Sequence, residues 1–130
     1  MKYYFNKVLD TKNFDEAIEL VTDELKKEGF GILTDIDVAA TFKKKLDVDF
    51  RDYVILGACN PHFAYKALQS EDKIGLLLPC NIIVEEHDNG EVEVSAVDPI
   101  ASMGTVENES LGDLASEVQQ KLINVIQSLN

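Results

Sequence analysis

Apolar residues recur along this chain with two different periods. Over residues 3–9, aromatic and branched side chains alternate weakly with polar ones, which predicts a first strand. The spacing then changes: Phe14, Ala17, Ile18, Val21 and Leu25 fall on one face of a helix. Asn13 supplies its N-cap, Glu16 completes a capping box, and Gly29 ends it in the left-handed conformation. Residues 30–36 read as a second strand. Asp37 caps a short helix over 38–46, whose Lys43, Lys44 and Lys45 mark an exposed C-terminal turn. Residues 53–59 are a near-continuous apolar run, expected of a strand central in its sheet or covered on both faces. Asn60 and Pro61 open a helix that runs to about residue 68 and buries Ala64, Ala67 and Leu68, because proline's missing N–H costs nothing at the first helical position.

Residues 73–78, Pro79 and Cys80 lead into a hairpin whose register the pattern decides. A two-residue turn at Asn89-Gly90 would put Glu85 and His87 on the face of Val92 and Val94. A three-residue turn at Asp88-Asn89-Gly90 instead pairs Ile82 with Ala96 and Val84 with Val94, with Gly90 left-handed at a bulge. The second register keeps one face apolar, so it is the one expected. It sets Cys80 opposite Asp98 with its side chain toward the core, and sends His87 to solvent at the hairpin tip. Asp98-Pro99 closes the hairpin, and a loop carrying Met103 and Gly104 runs to Glu109. Ser110, with Asp113 three residues on, starts a final helix whose stripe includes Leu111, Leu114, Ala115, Val118, Leu122, Val125, Ile126 and Leu129. These elements predict an α+β fold in two layers: a mixed or antiparallel sheet of about five or six strands, with helices mainly on one face.

Composition narrows the partners. A chain of 130 residues, 45% hydrophobic, supports one core, so a single domain over residues 1–130 is expected. A net charge of -12 repels phosphate backbones and anionic lipid, so neither nucleic acid nor a membrane is an expected partner. The N-terminus lacks the apolar region of a signal peptide, and no apolar run reaches the roughly 20 residues that span a bilayer. A cytoplasmic location follows as the expectation, and there the two cysteines are thiols rather than a structural bridge. A symmetric homodimer is expected on general frequency alone.

The ordered set Gly29-Phe30, Asp37, Cys59-Asn60-Pro61, Leu78-Pro79-Cys80 and Asp98-Pro99, ahead of a C-terminal helix, resembles the domain of unknown function 302 family of bacteria and archaea. The resemblance covers essentially the whole chain. It implies a compact two-layer fold of helices against a mixed sheet, and it carries no activity. It marks Asp37, Cys59, Asn60, Pro61, Pro79, Cys80, Asp98 and Pro99 as motif positions without assigning them roles.

Cys59 and Cys80 are the candidate carriers of chemistry. Cys59 precedes a helix N-terminus, whose partial positive charge would stabilise a thiolate. Three readings follow. In the first, a small ligand or a soft metal, with haem iron included, binds a pocket formed by Cys59, Asn60 and Cys80, with Asp98 and Asp37 as further ligand contacts and His62 or Met103 as further metal donors. In the second, the cysteine pair performs thiol redox or sulfur transfer, although no C-x-x-C spacing is present. In the third, both cysteines pack as small hydrophobes in a structural or interaction domain, Asp37 and Asp98 only cap turns, and Met103 only fills the core. No dinucleotide, phosphate-loop or nucleophile-elbow pattern occurs.

Overall fold

The computed structural model describes residues 2–130. The helix expected after Asn13 forms as α1 (Phe14–Lys27), and both of its ends are closed by side-chain and backbone geometry. Asn13 Oδ1 accepts the Glu16 N–H at 3.0 Å. The return half of the box passes through Thr11, whose hydroxyl accepts from the Asn13 N–H and donates to the Glu16 carboxylate. At the other end Gly29 takes φ +86°, its N–H reaches Lys26 O, and the Phe30 N–H reaches Leu25 O at 2.9 Å. This Schellman closure turns Phe30 back onto Leu25 inside the core, so the second strand starts one residue later than expected.

The strands are β1 (Tyr4–Val8), β2 (Gly31–Asp37), β3 (Tyr53–Cys59), β4 (Cys80–Glu86) and β5 (Val92–Val97), in the spatial order β1-β5-β4-β3-β2. Every neighbouring pair is antiparallel, which decides between a mixed and an antiparallel sheet. The hairpin has the register expected from its pattern: Ile82 faces Ala96, Val84 faces Val94, and Gly90 sits at φ +86°. β1 and β2 occupy opposite edges, so α1 must cross the whole sheet between them.

One face of the sheet carries Leu56, Ile82, Val84, Val94 and Ala96, all almost fully buried beneath α1 and the last helix, α5 (Glu109–Ser128). Burying each aliphatic side chain there contributes about 1.5–3 kcal/mol, and this two-helix cover is the principal core. The short helix α2 (Val38–Leu46) buries none of its residues and is tied to the start of β3 by an edge-on Phe42–Phe50 contact leading to Tyr53. No helix among the described residues is long and apolar enough to cross a membrane.

Between β3 and β4 the chain forms α3 (Pro61–Ser70) and a 3₁₀ turn over Asp72–Leu77. On α3 Ala67 is buried, whereas Leu68 is 47% exposed, so that part of the expected buried face points outward. The segment after β5 is not an open loop throughout: α4 (Pro99–Met103) forms, with Asp98 accepting the Ile100 N–H. The final helix is capped by Asn108 rather than Ser110, because the Asn108 amide accepts the Ser110 N–H and also reaches back to Ser70 O at 2.8 Å.

The opposite face of the sheet holds a charge network. Glu85 and Glu93 stand directly opposite each other with side chains only 13% and 16% exposed, an unfavourable pairing without counter-charge. Arg51 meets Glu85 at 3.1 Å while stacking on Phe50 and Tyr53, and His87 Nε2 lies 2.8 Å from Glu93. His87 is therefore half-buried and partnered, not at a solvent-facing tip, because it continues the alternation of β4 onto the face where Glu93 meets its ring. The hydrogen bond to Glu93 raises the His87 pKa. For Glu93, burial is the largest influence and pushes upward, but the bonds from Asn6 and His87 together bring it below its usual value.

Gly29→Ala is expected to destabilise the fold by about 1–2 kcal/mol, since a Cβ is strained at this φ and would also approach Asn60 Nδ2 to 3.0 Å. An unchanged denaturation midpoint would contradict that. The charge network also has a defined pH window. His87, with its pKa raised, stabilises fully below its ordinary 6.5 and loses that contribution as pH rises through the folded value. Glu93, with its pKa lowered, stabilises above its ordinary 4.5 and loses that contribution as pH falls through the folded value. Thermal melts of wild type and His87→Gln should therefore differ most at about pH 5.5 and converge as pH rises through the folded His87 value. A pH-independent gap would contradict the ion pair.

Candidate functional site

The site lies where β3 ends and β4 begins. Their register sets Ala58 opposite Cys80, and the next residue along, Cys59, opposite Gly31 of β2. Gly57 is required here because a Cβ would collide with the Thr34 hydroxyl and come within 2.8 Å of the Pro79 ring. Without a side chain at Gly57, Pro79 closes against β3 and delivers Cys80 to the start of β4 on the face of Ile82. Cys80 is 8% exposed and belongs to the core cluster, and both cysteines are free thiols. Pleating sends consecutive strand residues to opposite sides, so Cys80, which shares Ala58's side, and Cys59 are offset by one step.

A cavity of about 40 Å³ opens at this corner, lined by Ala58, Cys59, Asn60, Phe63, Cys80, Met103 and the apolar stripe of α5 from Leu111 to Val118. α3 and the N-terminal half of α5 form its walls. The environment makes both thiols weak acids. Burial, with a smaller contribution from nearby Cys59, pushes the Cys80 pKa up to about 11. Burial raises Cys59 as well. The thiolate expected from the helix N-terminus is not favoured: Cys59 lies outside the first turn of α3, and Pro61 contributes no N–H there.

Asn60 is the polar element of this apolar corner. It occupies the N-cap of α3 without capping it by its side chain. Its amide turns instead toward α1 and donates to Glu28 O at 3.4 Å, beside Gly29, the residue that closes that helix. This orientation is fixed by chemistry, because flipping the amide would set its oxygen against the Glu28 carbonyl. The consequence is that Asn60 Oδ1 is buried with no hydrogen-bond partner, in a residue only 9% exposed. Leaving such an acceptor unsatisfied costs about 1–3 kcal/mol.

The structure thus brings together Cys59, Asn60, Cys80 and Met103 in one cavity wall. The other three candidates stand elsewhere. Asp37 pairs with Val54, about 17 Å along β3 from Cys59 at the usual strand rise, and its carboxylate caps α2 through the Ala40 N–H. Asp98 caps α4 and accepts from Gln119 Nε2 at 3.1 Å, outside the cavity lining. His62 is exposed on α3 and also outside it.

The residues not anticipated are of two kinds. Phe63, Leu111, Leu114 and Val118 wall the cavity, and helical spacing marks the α5 residues only as core. Glu85, His87 and Glu93 gather ligand atoms within 4.8 Å of one another. The hairpin register already implied that grouping, since it puts all three on the face away from Val84 and Val94. Their N and O donors suit a borderline divalent ion, whereas Cys80 and Met103 suit a soft one. Arg51, Asn6 and the His87–Glu93 contact already satisfy the first group.

No curated protein matches the chain. It is similar over its full length, at 26% identity and a TM-score of 0.91, to the crystal structure of an uncharacterized conserved DUF302 protein from Bacillus stearothermophilus, all of which is covered. The family model described as domain of unknown function DUF302 matches residues 5–129. That match, with the Cys59-Asn60-Pro61 and Leu78-Pro79-Cys80 corner in place, shows that the chain belongs to the DUF302 family.

Proposed function

We propose that this chain works as a single domain that binds a small neutral molecule carrying one hydrogen-bond donor, at the cavity between α3 and α5. The observation that carries the reading is Asn60 Oδ1, a buried acceptor without a partner in an otherwise apolar wall. A water there would keep a single strong partner, fewer than the two to four that buried waters usually hold. A hydroxyl or amide on an apolar body satisfies the acceptor and fills the walls as well. The neutral thiols support binding over reaction: protonated sulfurs are poor nucleophiles, and their one-step offset disfavours a dithiol couple. Haem does not fit the corner as it stands, because about 40 Å³ is far below the roughly 300–1,000 Å³ of sites for larger ligands.

A second reading, a soft metal ion, is favoured by the shared lining of Cys59, Cys80 and Met103. Its cost is removal of a proton from at least one thiol whose pKa is raised.

Propan-2-ol titrated into ¹⁵N-labelled protein should shift the amides of Asn60, Phe63 and Cys80 saturably. Asn60→Leu should weaken it by roughly three- to tenfold, the usual worth of one hydrogen bond. Acetone, similar in size without a donor, should bind comparably weakly to wild type. Equal affinity for both probes would contradict the role of Asn60. Silver(I) binding one-to-one at this corner, lost in Cys80→Ser, would favour the metal reading instead.

A further inference from the structure

A second opening lies on the other side of the cavity wall. It is a cleft of about 280 Å³ between α4 and α5, with Ile100, Val106 and Gly112 among its lining. Met103, Leu111 and Ala115 line both spaces, so one layer of side chains separates them. Leu111 and Ala115 are buried on the rigid α5. Met103 is different: it ends the five-residue α4, is only half-buried, and is unbranched with three rotatable bonds. The flanks of the cleft are pinned. Asp98 ties the start of α4 to Gln119, and Asn108 ties the start of α5 to Ser70. Met103 can thus change rotamer while the walls on either side stay fixed.

The two spaces are also chemically unlike. The inner one is lined by Asn60, whose buried Oδ1 has no partner, and the outer one offers an apolar trough with polar groups at its rim, from Asn108 and Ser116. We propose that they are two chambers of one site for a linear amphiphile, whose hydroxyl or amide head binds Asn60 while its apolar tail passes Met103 into the cleft. This rests on the inner cavity being a ligand site and adds the class of ligand and the residue that gates it. Joined, the chambers approach the volume of ordinary small-molecule sites, which the inner one alone does not. Aliphatic tails suit a wall of Leu, Ile, Val and Met, and each methylene buried there should tighten binding by about fourfold.

The test is a series of primary alcohols from ethanol to octan-1-ol, titrated by NMR into wild type, Met103→Phe and Val106→Ser. In wild type, affinity should rise by about fourfold per methylene beyond propan-1-ol until the cleft is filled. Shifts should spread from Asn60 to Val106 and Gly112 as the chain lengthens. Met103→Phe and Val106→Ser should each lower the ratio of octan-1-ol to propan-1-ol affinity. Propan-1-ol binding at Asn60 with no gain from longer chains would overturn the two-chamber proposal and leave the inner site standing. Absence of propan-1-ol binding would overturn both. A ratio untouched by both substitutions would remove Met103 and the cleft from the site.

Discussion

Where β3 ends and β4 begins, the chain leaves one strand and enters the next beneath α3 and the first half of α5, and side chains at that corner lose water without gaining charge partners. This desolvation governs what each residue there can do. It holds the Cys80 thiol protonated to about pH 11, raises Cys59, and makes an unpartnered amide oxygen at Asn60 costly rather than neutral. Enclosed by Phe63, Leu111 and Val118, these residues become neutral polar points in an apolar wall. Their neutrality supports the proposed ligand binding over a thiol reaction.

A contact at the end of α1 sets up that corner. Gly29 closes α1 in a left-handed turn, and the missing side chain leaves room for the Asn60 amide to reach Glu28 O. Asn60 thereby gives up its capping bond to α3 and couples the end of α1 to the turn between β3 and α3. A helix-closing glycine, ordinarily a matter of stability, here also fixes which side of the Asn60 amide is left without a partner. On the far side of the sheet the opposite solution operates: Arg51 lies beside Glu85 and His87 beside Glu93 as charge partners.

Much of this was legible in the residues. Period and capping chemistry located the strands and the longer helices, and the Asp88-Asn89-Gly90 turn with the demand for one apolar face fixed the hairpin register. Cys59 ends β3 and Cys80 starts β4, and the antiparallel pairing of those strands sets both at the same end of the sheet. What escaped were effects that depend on distant partners. The Asn60 amide is drawn to Glu28 O, 32 residues away, so local rules predicted a cap that does not form. Asn108 is held by Ser70 across 38 residues, which shifts the start of α5 away from Ser110. The acidity of Cys59 was misjudged because helix-terminus reasoning carries no information about burial. Glu85, His87 and Glu93 were on one face by the chosen register, yet a residue beside a turn reads as solvated until the turn's path is known.

Alkylation of the two thiols by iodoacetamide across graded pH, with the modified residue located by mass spectrometry, tests the desolvated corner most directly. Both thiols should resist modification at about pH 6, Cys59 should react as pH rises, and Cys80 should lag until strongly alkaline conditions or unfolding. Rapid modification of either cysteine at about pH 6 in the folded protein would mean a stabilised thiolate, and would contradict a desolvated corner with neutral thiols.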